Sequence, residues 1–329
     1  MTTNLSRRRF ITISASVLAT GLIPGSISRA APTPVHWRGT AMGAMAELIL
    51  VHPDRTKAQS AVRQVQDEIH RLEKVFSLYD QGSALSRLNE LGALDIPPFD
   101  LIRCLDDSAH ISQLTDGAFD VTVQPLWDLY ARHFAAKPAD LKGPDRVEIE
   151  RAKNLVDFSA VQYDPQRVSF RKPGMAVTLN GIAQGYITDR AAELLKAHGF
   201  NNVLVDLGET RGLGRREDGV DWQVGIKAPD GSGELIRRLS LPNKAIATSG
   251  GYGTRFSPDG VHHHLFNPHT GRSANGWRSM SVIADDATRA DALSTAFYSL
   301  PEHHIRRIAN DLKLSVIAND GTRTVQINM

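Results

Sequence analysis

Apolar positions in this chain change period several times, and each change marks an element. Over residues 56–76, Ala61, Val65, Ile69, Leu72 and Phe76 recur every three to four positions with charges between them. That spacing predicts an amphipathic helix. Residues 101–115 predict a second, with Cys104 as a small core residue. A short helix is expected over 83–89 and a longer one over 187–198. Shorter apolar runs at 35–38, 46–50, 161–170, 175–179, 202–206, 220–226, 234–241 and 245–249 read as strands. The segment 117–123 suits extended chain after an Asp116-Gly117 turn, and 135–145 reads as a polar connection. Helices and short strands mix without a βαβα rhythm, so the expected class is α+β.

Candidate chemistry concentrates near the C-terminus. Met280-Ser281-Val282-Ile283-Ala284 alternates as a strand does, Asp285 and Asp286 stop it, and 290–298 reads as a helix. Asp291 and Thr295 lie four apart and share one helix face. A carboxylate and a hydroxyl are hard oxygen donors, suited to Mg²⁺ and not to zinc. In a first turn, Asp291 would also sit where a helix end helps to hold a phosphate. The alternative is structural: a helix-end Asp that offsets the dipole and a Thr bonded back to the preceding turn.

Three further stretches attract attention. Gly39-Thr40-Ala41-Met42-Gly43 is a hairpin turn or a place where backbone approaches a ligand. Asn180-Gly181-Ile182-Ala183-Gln184-Gly185-Tyr186 enters a helix, but its glycines match neither dinucleotide nor P-loop spacing. Thr248-Ser249-Gly250-Gly251 ends a strand in a hydroxyl- and glycine-rich loop. His262, His263, His264 and His269 follow; alternation in a strand would put His263 opposite its neighbours. No cysteine is spaced to complete a zinc set, so one histidine acting as a base is the better reading.

Composition narrows the classes. The 329 residues are 41% hydrophobic and 22% charged, with a formal charge of +2. That supports a sizeable core and gives no basic stripe for nucleic acid. A single cysteine excludes an intramolecular disulfide. Ser6-Arg7-Arg8-Arg9-Phe10-Ile11, a short apolar run and Ser28-Arg29-Ala30 form a twin-arginine signal pattern. The expected organisation is a removed signal over 1–30 and one domain over 31–329. The expected location is the periplasm, with no membrane span after cleavage.

Taken together, these blocks resemble the ApbE family of FAD:protein FMN transferases. They are Gly39 to Gly43, Ser77-Leu78-Tyr79-Asp80 with Ser83 to Asn89, Gly117 to Val123, Gly181 to Tyr186 with Asp189, Thr248-Ser249-Gly250, His264 to Gly271, and Ala290-Asp291-Ala292-Leu293-Ser294-Thr295-Ala296. The resemblance implies an ApbE-like fold of mixed or antiparallel sheets with packed helices. FAD, the substrate, would bind near Met42, Tyr79, Asp120, Gly181, Thr248, Ser249 and Gly250. Mg²⁺ would be held by Asp291, Thr295 and a backbone carbonyl at Ala183. His264 would be the base, and Asp291 the second catalytic residue through the metal. The partner would be a flavoprotein bearing an acceptor Thr or Ser hydroxyl. Thr178, Asn180, Gln184 and Asn267 depart from the family's usual acidic residue, Gly, Lys and Asp. A Mg²⁺-dependent FAD pyrophosphatase and a non-catalytic flavin-binding accessory protein are the competing readings.

Overall fold

The computed structural model describes residues 34–136 and 139–329. The twin-arginine segment lies outside them. Eight strands form one sheet whose order in space is their order in the chain: Val35–Ala41, Ala44–Leu50, Val203–Asp206, Thr210–Leu213, Ala245–Ser249, Ser279–Ala284, Ser315–Asn319 and Thr324–Ile327. Every neighbouring pair is antiparallel.

Both faces of the sheet are covered, and period-two alternation sorts the residues between them. Leu48, Leu50, Val203, Val205, Ala247, Val282 and Val316 join the main core with the helices. Their neighbours Ile49, Val51, Leu204, Ile246 and Ile317 join a smaller cluster on the opposite face. A hairpin of Gln223–Lys227 and Leu235–Ser240 covers that face through Trp222, Val224, Ile226 and Leu241.

The helices are α1 (Arg55–Phe76), α2 (Ala84–Leu91), α3 (Phe99–Leu114), α4 (Gln124–Ala135), α5 (Arg146–Lys153), α6 (Ala183–Ala197), α7 (Ala287–Tyr298) and α8 (Glu302–Asp311). Helix α7 packs on the Ala245–Ser249 and Ser279–Ala284 strands, α6 packs on α7, and α1 on α6. None of the described helices is long and apolar enough to cross a membrane.

Register decides what meets at one end of the sheet. Glu47 pairs with Asp206, Asp206 with Thr210, Thr210 with Ile246, and Ser249 with Met280. The Met42-Gly43 hairpin tip, the turn 207–209, Ser249 and Ser279 therefore share that end.

Several expectations change in the structure. Residues 175–179 form no strand. Asn89 instead clamps Val177, accepting its N–H at 2.7 Å and donating to its carbonyl at 2.8 Å. The segment 117–123 is not extended throughout, because Asp120 caps a 3₁₀ turn at Val121–Val123. The histidine run is not a strand; only an isolated bridge joins His263 to Arg255. The expected connection over 135–145 is kept: α4 ends at Ala135 and α5 begins at Arg146.

Candidate active site

Helix α7 begins earlier than its sequence implied. Asp286 caps it, accepting the Arg289 N–H at 2.7 Å. Asp189 of α6 adds a second cap from outside the helix. It accepts from the Ala287 and Thr288 N–H groups, each at 2.8 Å, and from the Thr288 hydroxyl at 2.6 Å. Arg211 Nη1 holds the same carboxylate at 2.5 Å. Asp291 therefore stands in the second turn, not the first. The helix end that looked available to a phosphate is already filled by two carboxylates.

Asp291 is 4% exposed and accepts the Gly185 N–H at 3.0 Å. Burial pushes its carboxyl well above the usual range against that bond, and Asp189 adds repulsion. Glu209, in the turn after Asp206, is also buried and pushed up, first by desolvation and then by the Asp291 and Asp206 charges. Among the described residues no Lys or Arg side chain pairs with either carboxylate. Thr295 follows one turn later; its Oγ1 lies 3.3 Å from Ser249 Oγ, which is 2.7 Å from Ser294 Oγ. Gly181 lies against this face, where a Cβ would stand 3.0 Å from Thr295 Oγ1. Ala183 opens α6, fully buried, two residues before Gly185.

These donors fit a hard cation. The Asp291 carboxylate shares a helix face with the Thr295 hydroxyl, in a buried setting that disfavours its charge unless a cation offsets it. Among the described residues there is no metal-holding group of three or more His, Cys, Asp or Glu. Asp291, Thr295 and the Ala183 carbonyl would offer a cation oxygen atoms alone.

Gly185 makes the α6–α7 crossing possible. A Cβ there would run into the Ala287 carbonyl group and stand 2.8 Å from Asp291 Cβ. Gly185→Ala is expected to cost about 3 kcal/mol, since the obstacle is backbone and cannot swing away. Urea unfolding checks this; a midpoint equal to that of the unsubstituted protein would show that the helices can separate freely.

The histidines do not converge on one point. His262 sits in an aromatic cluster with Tyr130 and Phe134. His263 is 2% exposed, and His269 is exposed. His264 is partly buried, with Nδ1 3.2 Å from both the N–H and the carbonyl oxygen of Thr254. Burial, then the neighbouring His263, lowers its pKa to about 4, so the ring is neutral at pH 7.

The other expected ligand residues take the following places. Met42 adopts φ 49° at the hairpin tip beside Gly43 at 79°, the left-handed pair a two-residue hairpin needs. Its N–H donates to Glu73 at the end of α1 at 2.8 Å. Tyr79, 69% exposed, follows that same helix end. Ser249 faces α7, whereas Thr248 points to the opposite face, its hydroxyl 2.8 Å from Ser281 Oγ. Gly250 turns the chain, its carbonyl accepting the Gly253 N–H at 3.0 Å. Asp120 is 9% exposed, and its carboxylate accepts from the Thr122 N–H and hydroxyl and the Phe158 N–H. A cleft of about 460 Å³ opens there, lined by Asp116, Gly117, Asp120, Asp157, Pro268 and His269.

The ApbE family profile matches residues 42–318, which carry every one of these groups. The chain belongs to the ApbE family. It is 27% identical over 292 residues to the FAD:protein FMN transferase of Vibrio cholerae, covering 86% of each chain. To the FAD:protein FMN transferase of Treponema pallidum it is 30% identical, covering 77% of this chain and 75% of that one. The flavin transferase ApbE of Vibrio cholerae superposes with a TM-score of 0.78 at 25% identity, over 90% of this chain and 97% of that one. The ApbE protein of Thermotoga maritima gives 0.78 at 28%, with the same coverage. The fold is thus the ApbE fold, α+β as expected.

Within that fold, three participants escaped the sequence reading. Glu209 closes the Leu207-Gly208-Glu209 turn, where nothing in its spacing separates a buried carboxylate from a solvated one. Ser294 was given no role of its own, and only the fold brings its hydroxyl to Ser249. Arg211 lies in the short strand Thr210–Leu213, and only the fold brings it to Asp189.

Proposed function

We propose that this chain is an FAD:protein FMN transferase acting on an exported flavoprotein. The observation that carries the reading is buried Asp291, held by Gly185 one helical turn before Thr295, whose hydroxyl meets that of Ser249, in a family whose relatives bear that name. The acceptor is a Thr or Ser hydroxyl of a periplasmic or periplasm-facing redox protein. Its oxygen attacks the phosphorus on the riboflavin side of FAD, the diphosphate P–O bond breaks, and AMP leaves. Bound at Asp291 and Thr295, with the Ala183 carbonyl, Mg²⁺ would supply positive charge against the diphosphate.

The chain's own groups do the rest. Asp291 stays fixed because the α6 backbone grips it. Met42 and Tyr79, both anchored at the end of α1, offer an apolar and an aromatic surface for the isoalloxazine. Ser249 and Gly250 serve the adenosine end; the Thr248 hydroxyl, expected there too, is turned to the other face of the sheet, against Ser281. His264 takes the proton of the acceptor hydroxyl at Nε2, with Nδ1–H donating to the Thr254 carbonyl. The twin-arginine pattern supports export to the periplasm.

Intact-mass measurement of an acceptor flavoprotein domain incubated with the mature chain, FAD and Mg²⁺ tests this. A gain of one FMN with an equal yield of AMP is expected. AMP with free FMN and no adduct would make the chain a pyrophosphatase; bound, uncleaved FAD would make it an accessory protein.

A further inference from the structure

The loop from Ser249 to Thr254 joins the two halves of the site. At one end Ser249 touches Thr295 and Ser294 of α7; at the other Thr254 touches His264. What fixes the middle of the loop is the last residue of α7. Tyr298, 3% exposed, accepts the Gly251 N–H at its hydroxyl at 3.0 Å. His263 closes the other side, its ring 5.8 Å from that of Tyr298 at 89°. A Cβ on Gly251 would stand 2.8 Å from His263 Nε2 and 2.9 Å from the Tyr298 hydroxyl. Gly253 in turn lies against His264, where a Cβ would stand 3.0 Å from Cε1.

His263 is itself held rigidly. Its N–H donates to Ser273 Oγ at 2.9 Å, and its carbonyl accepts from that hydroxyl at 2.7 Å. Its Nδ1 accepts the Leu265 N–H at 3.2 Å, which leaves the hydrogen on Nε2. The ring is thereby held in place against Gly251.

We propose that Tyr298 and His263 are positioning residues for the transfer reaction. They grip Gly251 from two sides and so fix His264 relative to Asp291 and Thr295. Tyr298 lies on the same helix as the Asp291–Thr295 pair, and His263 is the chain neighbour of His264. The glycine between them is the one residue type that fits the gap. The inference rests on the transferase reading for its catalytic consequence, but the grip itself is a property of the chain alone.

Tyr298→Phe removes the acceptor of the Gly251 N–H while keeping the ring. Hydrogen–deuterium exchange of the full mature chain is expected to show faster exchange at the Gly251 amide, by about tenfold for one lost hydrogen bond. Single-turnover transfer from FAD is expected to fall about tenfold, with the FAD dissociation constant changed less than about twofold. Gly251→Ala alone is expected to slow transfer further. Part of that loss is recovered in the Tyr298→Phe background, where one of the two obstructing groups is gone. Unchanged exchange, equal losses of rate and FAD affinity, or strictly additive effects of the two substitutions would each overturn the proposal. If the unsubstituted chain transfers no FMN, the functional reading fails, and the exchange result still decides whether Tyr298 holds the loop.

Discussion

Asp291→Ala is expected to abolish the proposed Mg²⁺-dependent turnover, by about 10³-fold or more, because a metal's charge stabilisation is worth several kcal/mol. The same carboxylate sets a second, independent expectation. Burial raises the Asp291 and Glu209 carboxyls above their unfolded values. Groups raised in this way contribute stability that is fully present below the ordinary carboxyl range and lost as pH rises through the folded values. The metal-free protein is therefore expected to melt at a higher temperature at pH 5 than at pH 8. Adding Mg²⁺ at pH 8 should recover part of the difference. Asp291→Asn keeps an oxygen for the Gly185 N–H but removes the charge. It should flatten the pH dependence and abolish the Mg²⁺ response. Melting curves at the two pH values, with and without Mg²⁺, check this. Full activity in Asp291→Ala, or an undiminished Mg²⁺ shift in Asp291→Asn, would remove Asp291 from the metal site.

How much of this was legible from sequence depends on the range of the interaction. Helix α1 was visible because its periodicity is local: Ala61, Val65, Ile69 and Leu72 read the same in isolation as in the fold. The start of α7 was misplaced because half of its cap comes from Asp189, nearly a hundred residues away. The segment 175–179 looked like a strand because its residues suit extended chain. Its hydrogen-bond partner, however, is the side chain of Asn89 and not a neighbouring strand. Asp291 and Thr295 were paired correctly as one helix face. Gly185, by contrast, stood in a glycine stretch of no recognised spacing until the crossing of α6 and α7 showed what it avoids. Thr248 and Ser249, adjacent in sequence, separate to opposite faces of the sheet by simple alternation. Family resemblance located the blocks in the chain; the antiparallel register is what brings the hairpin tip, the 207–209 turn and Ser249 to one end.

His264→Ala is expected to slow FMN transfer about 10²- to 10⁴-fold, the usual contribution of a general base, while changing FAD affinity by less than about twofold. The histidine is well placed to be tested by pH. Its folded pKa is held down to about 4, chiefly by burial. A base works in its neutral form, so its contribution to the rate should rise as pH increases through about 4 and be complete by pH 6. A step near the ordinary imidazole value of about 6.5 would mean that the ring is solvated during turnover. Such a low pKa also makes His264 a weak base. As the proposed base it would take the proton from the acceptor hydroxyl only as the new P–O bond forms and the hydroxyl becomes acidic, with the proton in motion at the transition state. A solvent deuterium isotope effect on single-turnover transfer should therefore be present in the unsubstituted protein and diminished in His264→Ala. Equal losses of rate and FAD affinity in that variant, with the isotope effect retained, would make His264 a binding residue and leave the proton to water.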